Sequence, residues 1–202
     1  EESVPFNLEA DSLNAMVLGE DAKQGTAEFD LFIKEAVREM TTKAGQKCTA
    51  VRRILVPVNL VEDVQIAIGQ RLSTVIIGDP NVEGVRMGAL ANKDQVKEVS
   101  EKVQELSKTQ EIVFGNLDDF DVKGADKNKG AFISPILFLN SDPFKYTDCH
   151  NIEAFGPVST IIPYHNIDEA IELARMGKGS LCCSVVTADD DFAREFVIGA
   201  AS

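Results

Sequence analysis

Short, continuously apolar segments alternate with amphipathic helical ones along most of this chain, and that alternation constrains the fold more than any other feature. Leu13–Leu18 reads as a buried strand. From Glu28 to Thr42, apolar residues fall at Phe29, Phe32, Ile33, Ala36, Val37 and Met40, which is helical spacing, with Gly45 placed to end the helix. Arg53–Pro57 is a strand stopped by proline, and Leu60–Leu72 a helix with Val61, Val64, Ile68 and Leu72 on its inner stripe. The same rhythm continues through a charged helix at Lys93–Lys108 and a strand at Glu111–Gly115. Phe132–Leu139 reads as a strand interrupted by Pro135. Strand Ser159–Tyr164, helix Ile167–Met176, strand Leu181–Thr187 and helix Asp189–Ile198 follow. Strands that are apolar throughout belong to a sheet covered on both faces. The expectation is an α/β chain with a doubly wound, mainly parallel sheet and helices on both faces. Neither Gly-x-Gly-x-x-Gly nor Gly-x-x-x-x-Gly-Lys occurs, so no complete nucleotide-binding fingerprint accompanies that pattern.

A chain of 202 residues, 44% of them hydrophobic, can bury a core without disulfides or metals. Its 20 basic and 33 acidic residues leave 20 − 33 = −13 charges, which argues against nucleic acid and anionic membrane surfaces as partners. No apolar run is long enough to span a bilayer, and no leader pattern opens the chain. The four cysteines, Cys48, Cys149, Cys182 and Cys183, read as reduced thiols of a cytoplasmic protein.

The chemistry centres on Gly45-Gln46-Lys47-Cys48-Thr49-Ala50-Val51-Arg52-Arg53, which sets one cysteine in a polar turn. A nucleophilic cysteine reacts as the thiolate, and Lys47, Arg52 and Arg53 lie within five positions of it in an otherwise acidic chain. Elsewhere the polar residues read as structural. Cys149-His150 lacks the spacing of a metal site, so no metal is expected. His165 reads as a strand-end residue, Cys182 and Cys183 as core, and Asp189-Asp190-Asp191 as a helix start. Leu117–Lys129 is a charged excursion or hairpin.

Several segments in order then resemble the catalytic domain of the aldehyde dehydrogenase superfamily. They are Leu8-Glu9-Ala10-Asp11-Ser12-Leu13-Asn14, the Cys48 segment, Gly78-Asp79-Pro80 with Met87-Gly88-Ala89-Leu90, and Glu153-Ala154-Phe155-Gly156-Pro157. Gly130-Ala131-Phe132-Ile133-Ser134-Pro135 and Gly179-Ser180-Leu181 with Ser184-Val185-Val186-Thr187 are similar to two of that family's strand motifs. The resemblance covers nearly the whole chain and implies a role for each matching residue. Cys48 matches the nucleophile that forms a thiohemiacetal and then a thioester, and its backbone amide one oxyanion donor. Glu9 matches the base that activates water for hydrolysis. Glu153 matches the ligand of the nicotinamide ribose and Phe155 the ring beside the nicotinamide. The chain departs from the family after Glu9, where Ala10-Asp11-Ser12 replaces the usual Leu-Gly-Gly. Glu-Ala-Asp-Ser-Leu-Asn with Gly-Gln-Lys-Cys-Thr-Ala-x-Arg-Arg most resembles the bifunctional aldehyde dehydrogenase–hydratase of phenylacetate degradation.

The resemblance therefore implies NAD- or NADP-dependent oxidation of an aldehyde, a coenzyme A semialdehyde in the subgroup it most resembles, in a full-length homo-oligomer. It implies that residues 1–202 are a catalytic domain whose cofactor-binding domain and oxyanion asparagine are absent, leaving the piece weakly active or inactive alone. Two readings stay open beside it. One is a coenzyme A-acylating or phosphate-using relative, which passes the thioester to another acceptor; the other is a non-catalytic module.

Overall fold

A computed structural model of the protein describes residues 11–178 and 180–201. Strand β1 (Asn14–Leu18) leads into helix α1 (Ala27–Thr41), whose N-terminus is capped by Thr26 Oγ1 accepting from Phe29 N–H at 3.2 Å. Strand β2 (Val51–Pro57) and helix α2 (Val61–Ser73) follow, the latter entered through a 3₁₀ turn at Val58–Leu60. A two-strand parallel pair, β3 (Ile76–Ile77) and β4 (Val85–Met87), was not foreseen; segments of two and three residues carry no periodicity to read. Helix α3 (Lys93–Leu106), capped by Asn92, buries Val99, Val103 and Leu106 as its spacing requires. The last elements are β5 (Glu111–Phe114), β6 (Ile136–Leu139), β7 (Val158–Tyr164), α4 (Ile167–Arg175), β8 (Cys183–Val186) and α5 (Asp190–Ala200). Asn166 and Asp189 cap the last two helices, so the Asp189–Asp191 triplet is the helix start that was expected.

The main sheet runs β5-β6-β7-β2-β1-β8. Every pairing is parallel except β5 with β6, so the expected mainly parallel sheet is present with one antiparallel edge. Helices cover both faces. Phe32, Ile33, Val37 and Met40 of α1 with Val64, Ile68 and Leu72 of α2 close over Met16, Leu18, Ile54 and Val56. On the other face Ala170 and Leu173 of α4 and Phe196 of α5 cover Ala15, Val17, Leu55 and Ile162. Three expectations are corrected. The region Phe132–Leu139 contributes only Ile136–Leu139 as strand, because Pro135 ends the ladder. The Leu117–Lys129 stretch is no hairpin: its Phe120 and Val122 pack on the core and Lys123 bridges to Gly78. Cys182 and Cys183 are not core, because β8 is an edge strand; Cys182 is half-buried and Cys183 exposed.

Candidate active site

The chain enters Cys48 through an unusual turn. After α1, Lys43, Ala44 and Gly45 adopt positive φ in succession, at 53°, 52° and 71°. The left-handed region costs a side-chain-bearing residue about 1 kcal/mol or more, so neighbouring contacts must hold this path. Several do. A Cβ at Gly45 would collide with the Gly156 carbonyl, so glycine there lets the Cys48 loop lie directly against the loop that carries Glu153. Gln46 bridges further: its Nε2 donates to the Phe155 carbonyl at 3.2 Å and its Oε1 accepts from Ala91 N–H at 2.8 Å.

Two polar side chains lace the site. Asn14, fully buried at the first position of β1, spends its whole carboxamide on it. Nδ2 donates to the Cys48 and Ala50 carbonyls, both at 2.9 Å; Oδ1 accepts from Leu181 and Cys182 N–H, both at 3.0 Å, and from Ser12 Oγ at 2.9 Å. One residue thus joins the starts of β1, β2 and β8. Arg52 does the same for the Glu153 loop. Nε donates to Glu153 Oε1 at 3.0 Å, Nη1 to the Gly156 carbonyl at 2.6 Å and Nη2 to the Gly45 carbonyl at 2.7 Å. The guanidinium also sits 5.5 Å from the centre of the half-buried Phe155 ring. Glu153 Oε2 accepts from Ser12 N–H at 2.9 Å, so its side chain, 7% exposed, is fixed by two donors. Burial lowers the Arg52 pKa and the Glu153 charge opposes that shift.

Cys48, Glu153 and Phe155 are therefore drawn into one region by shared hydrogen bonds, and Cys48 is exposed there. Glu9 lies outside the described residues. Asn14 and Gln46 were missed as site residues, and Arg52 was expected beside the thiol, not on Glu153. A polar residue opening an apolar strand was the available signal for Asn14, since a buried amide must find partners.

The expected cluster of cations around the thiol is corrected. Lys47 is 2.7 Å from Glu39, and Arg52 is bound to Glu153. Arg53 points through the opposite face of β2, as alternation along a strand dictates. It donates to the carbonyls of Leu13 at 2.7 Å, Leu173 at 2.5 Å and Ala174 at 2.9 Å, and lies 3.1 Å from His150 Nδ1. Burial takes Arg53 down to about 10, so it stays charged. Burial, with the Arg53 charge, takes His150 down to about 4, so the imidazole is neutral and its Nδ1 accepts. Cys149 is buried beside them, its thiol pushed up to about 11 by burial, and Asn140 Nδ2 donates to it at 3.2 Å. This pair is packing around Arg53; among the described residues no group of three or more His, Cys, Asp or Glu could hold a metal ion. His165 is exposed at the end of β7, 2.9 Å from Glu169.

All these site segments precede the strands they feed: Ser12 and Asn14 at β1, Cys48 before β2, Glu153 before β7 and Leu181–Cys182 before β8. The region lies at the amino edge of the parallel strands, whereas open α/β sheets generally bind at the carboxyl edge.

The fold is a doubly wound, mainly parallel sheet with a cysteine loop laced to a carboxylate loop at its amino edge. The aldehyde dehydrogenase family model matches residues 2–199, and the chain belongs to that family. It is 44% identical over 199 residues to 3,4-dehydroadipyl-CoA semialdehyde dehydrogenase of Aromatoleum evansii, covering 98% of this chain and 39% of that protein. It is 43% identical over 116 residues to protein MaoC of Klebsiella aerogenes, covering 57% of this chain and 33% of that one. The solved structure of betaine aldehyde dehydrogenase from Staphylococcus aureus, in complex with NAD+, aligns with a TM-score of 0.80 at 24% identity. That alignment covers 93% of this chain and 36% of the other, and shows a shared fold. The chain thus spans well under half the length of these relatives.

Proposed function

We propose that this chain carries the nucleophile of an NAD- or NADP-dependent aldehyde dehydrogenase acting on a coenzyme A-linked semialdehyde from aromatic catabolism. The observation that carries the reading is the lacing of the Cys48 loop to the Glu153 loop through Gln46, Asn14, Ser12 and Arg52. The substrate class is supported by the 44% identity to a protein named as a dehydrogenase of such a semialdehyde.

The residues present suit the nicotinamide ribose. Glu153 is an acceptor-only group held by one donor on each oxygen, and each oxygen keeps a lone pair for a hydroxyl of the diol. The half-buried Phe155 ring beside it offers an apolar face. When bound, the nicotinamide supplies the hydride acceptor for aldehyde oxidation. Cys48 Sγ attacks the aldehyde carbon to give a thiohemiacetal, and the carbonyl oxygen gains negative charge. The Cys48 backbone N–H is the donor that would stabilise that oxygen. Oxidation leaves a thioester on Cys48. Glu9 takes a proton from water, which attacks the thioester, releases the acid and restores the thiol. A glutamate at position 9, in the segment that matches the family's base, favours this reading over transfer of the thioester to coenzyme A or phosphate, provided its side chain faces Cys48.

The test is turnover of full-length protein with coenzyme A semialdehydes, followed as NAD(P)H formation. Cys48→Ser is expected to lower kcat by more than about a thousandfold. Glu9→Gln should abolish steady-state turnover while leaving one rapid burst of NAD(P)H. Undiminished turnover by Cys48→Ser would sink the assignment.

A further inference from the structure

Two of the four free cysteines converge on a single side-chain amide. Asn14 Nδ2 donates to the Cys48 carbonyl at 2.9 Å, and Asn14 Oδ1 accepts from Cys182 N–H at 3.0 Å, so the two backbones flank one carboxamide. The Cys182 thiol turns toward the Cys48 loop. Its Sγ donates to the carbonyl of Thr49, the residue bonded to Cys48, at 3.5 Å. Neither cysteine lies inside a helix or strand: Cys48 is in the turn before β2, and Cys182 precedes β8. Neither thiol's loop is held by a ladder bond of the sheet, and closing a disulfide requires the Cα atoms to come to about 5–6 Å.

Access is graded in the order a two-thiol device requires. Cys48 is exposed and meets a solvent oxidant first, while Cys182 is half-buried. Burial, and after it the charges of Glu39 and Cys48, raise the Cys182 pKa, so Cys182 rests as the thiol. The other cysteines are placed elsewhere. Cys183 follows Cys182 in the chain and, by strand alternation, faces the other side, where Arg53 is among the charges acting on it. Cys149 is 3% exposed and its sulfur accepts from Asn140.

We propose that Cys48 and Cys182 form a reversible redox pair, in which a hydroperoxide oxidises Cys48 and Cys182 closes a disulfide onto it. The Cys48 thiolate attacks one peroxide oxygen and the O–O bond breaks, giving a sulfenic acid and hydroxide or alkoxide, which takes up a proton. The Cys182 sulfur then attacks the Cys48 sulfur, the S–O bond breaks, and the hydroxyl leaves as water with the Cys182 proton. Two electrons pass from the two thiols to the peroxide. A dithiol reductant restores both thiols by exchange. The disulfide blocks the exposed sulfur and keeps it from the irreversible sulfinic state.

The experiment is peptide mapping, which needs no turnover, so it can fail without the catalytic assignment failing, and the reverse. Full-length protein is treated with hydrogen peroxide, its remaining thiols are alkylated, and it is digested without reductant and read by mass spectrometry. The expected product links the Cys48 and Cys182 peptides and is released by dithiothreitol. Cys183→Ser should form the same link. Cys182→Ser should instead accumulate sulfinic acid on Cys48 at the same peroxide dose. A link between Cys182 and Cys183, a link from Cys48 to Cys183, a Cys48–Cys48 link between chains, or wild-type Cys48 reaching the sulfinic state without any link would each overturn the proposal.

Discussion

Arg52 and Arg53 are consecutive on β2, both almost wholly buried, and they do opposite things. Arg52 faces a carboxylate and binds two loops together around the candidate site. Among the described residues Arg53 faces no carboxylate; three carbonyls and a neutral histidine surround it, and it fastens the end of α4 to the start of β1. One charge is balanced by a charge, the other by dipoles. The period of two along a strand, which sends neighbours to opposite faces, is enough to give the same residue type two jobs. Removing each should expose the difference.

The largest losses are expected at the two arginines, beginning with Arg53→Met. Three carbonyls lose their donor in a fully buried place, and at about 1–1.5 kcal/mol for each bond the cost is on the order of 4 kcal/mol. Urea unfolding should show a lower midpoint at unchanged slope. Arg52→Met should cost about as much, on the order of 4 kcal/mol, because it strands the buried Glu153 carboxylate and leaves the Gly45 and Gly156 carbonyls without a donor. The first part is rescuable: adding Glu153→Gln should recover the share due to the stranded carboxylate, while no single second substitution should rescue Arg53→Met. Equal rescue of both, or of neither, would erase the distinction drawn here.

A pH scan sharpens it. His150, held at about 4 against 6.5 for an ordinary imidazole, takes up a proton in the unfolded chain before it does so in the folded one. Its contribution to stability is complete above pH 6.5 and is lost as the pH falls from there towards 4. His150→Gln, which keeps an acceptor for Arg53, should flatten that limb of the stability curve, a difference on the order of 2 kcal/mol near pH 4. The smallest effect is at the entry to Cys48. Lys43 is exposed with φ 53°, so Lys43→Gly should raise stability by up to about 1 kcal/mol. A loss there would mean the turn depends on the lysine side chain.

Helices and central strands were legible because their apolar residues repeat at the period of the element, as in Phe29–Met40 and Ile54–Val56. The β3–β4 pair was not, being too short to show a period. The apolar look of Leu181–Thr187 misled for a different reason: sequence reports how greasy a strand is, not whether it ends up at an edge, and among the described residues β8 has a neighbour on one side alone. At the site, the motifs around Cys48 and Glu153 pointed to the candidate residues, while the basic residues beside Cys48 suggested a cationic shell. Strand alternation already implied that Arg52 and Arg53 could not both face the thiol. What no local pattern held was the pairing of Arg52 with Glu153, 101 residues away, or the spread of Asn14 bonds to Cys48 and Cys182. Those depend on which loops the sheet brings to its amino edge, a property of strand order.

The most direct test is to trap the acyl intermediate. Full-length protein carrying Glu9→Gln, mixed with NAD(P) and a coenzyme A semialdehyde and quenched in acid within the first turnover, should carry the acyl mass on the peptide holding Cys48 and nowhere else. An acyl adduct on Cys149, Cys182 or Cys183, or NAD(P)H formation with no covalent adduct at all, would contradict the assignment of Cys48 as the nucleophile.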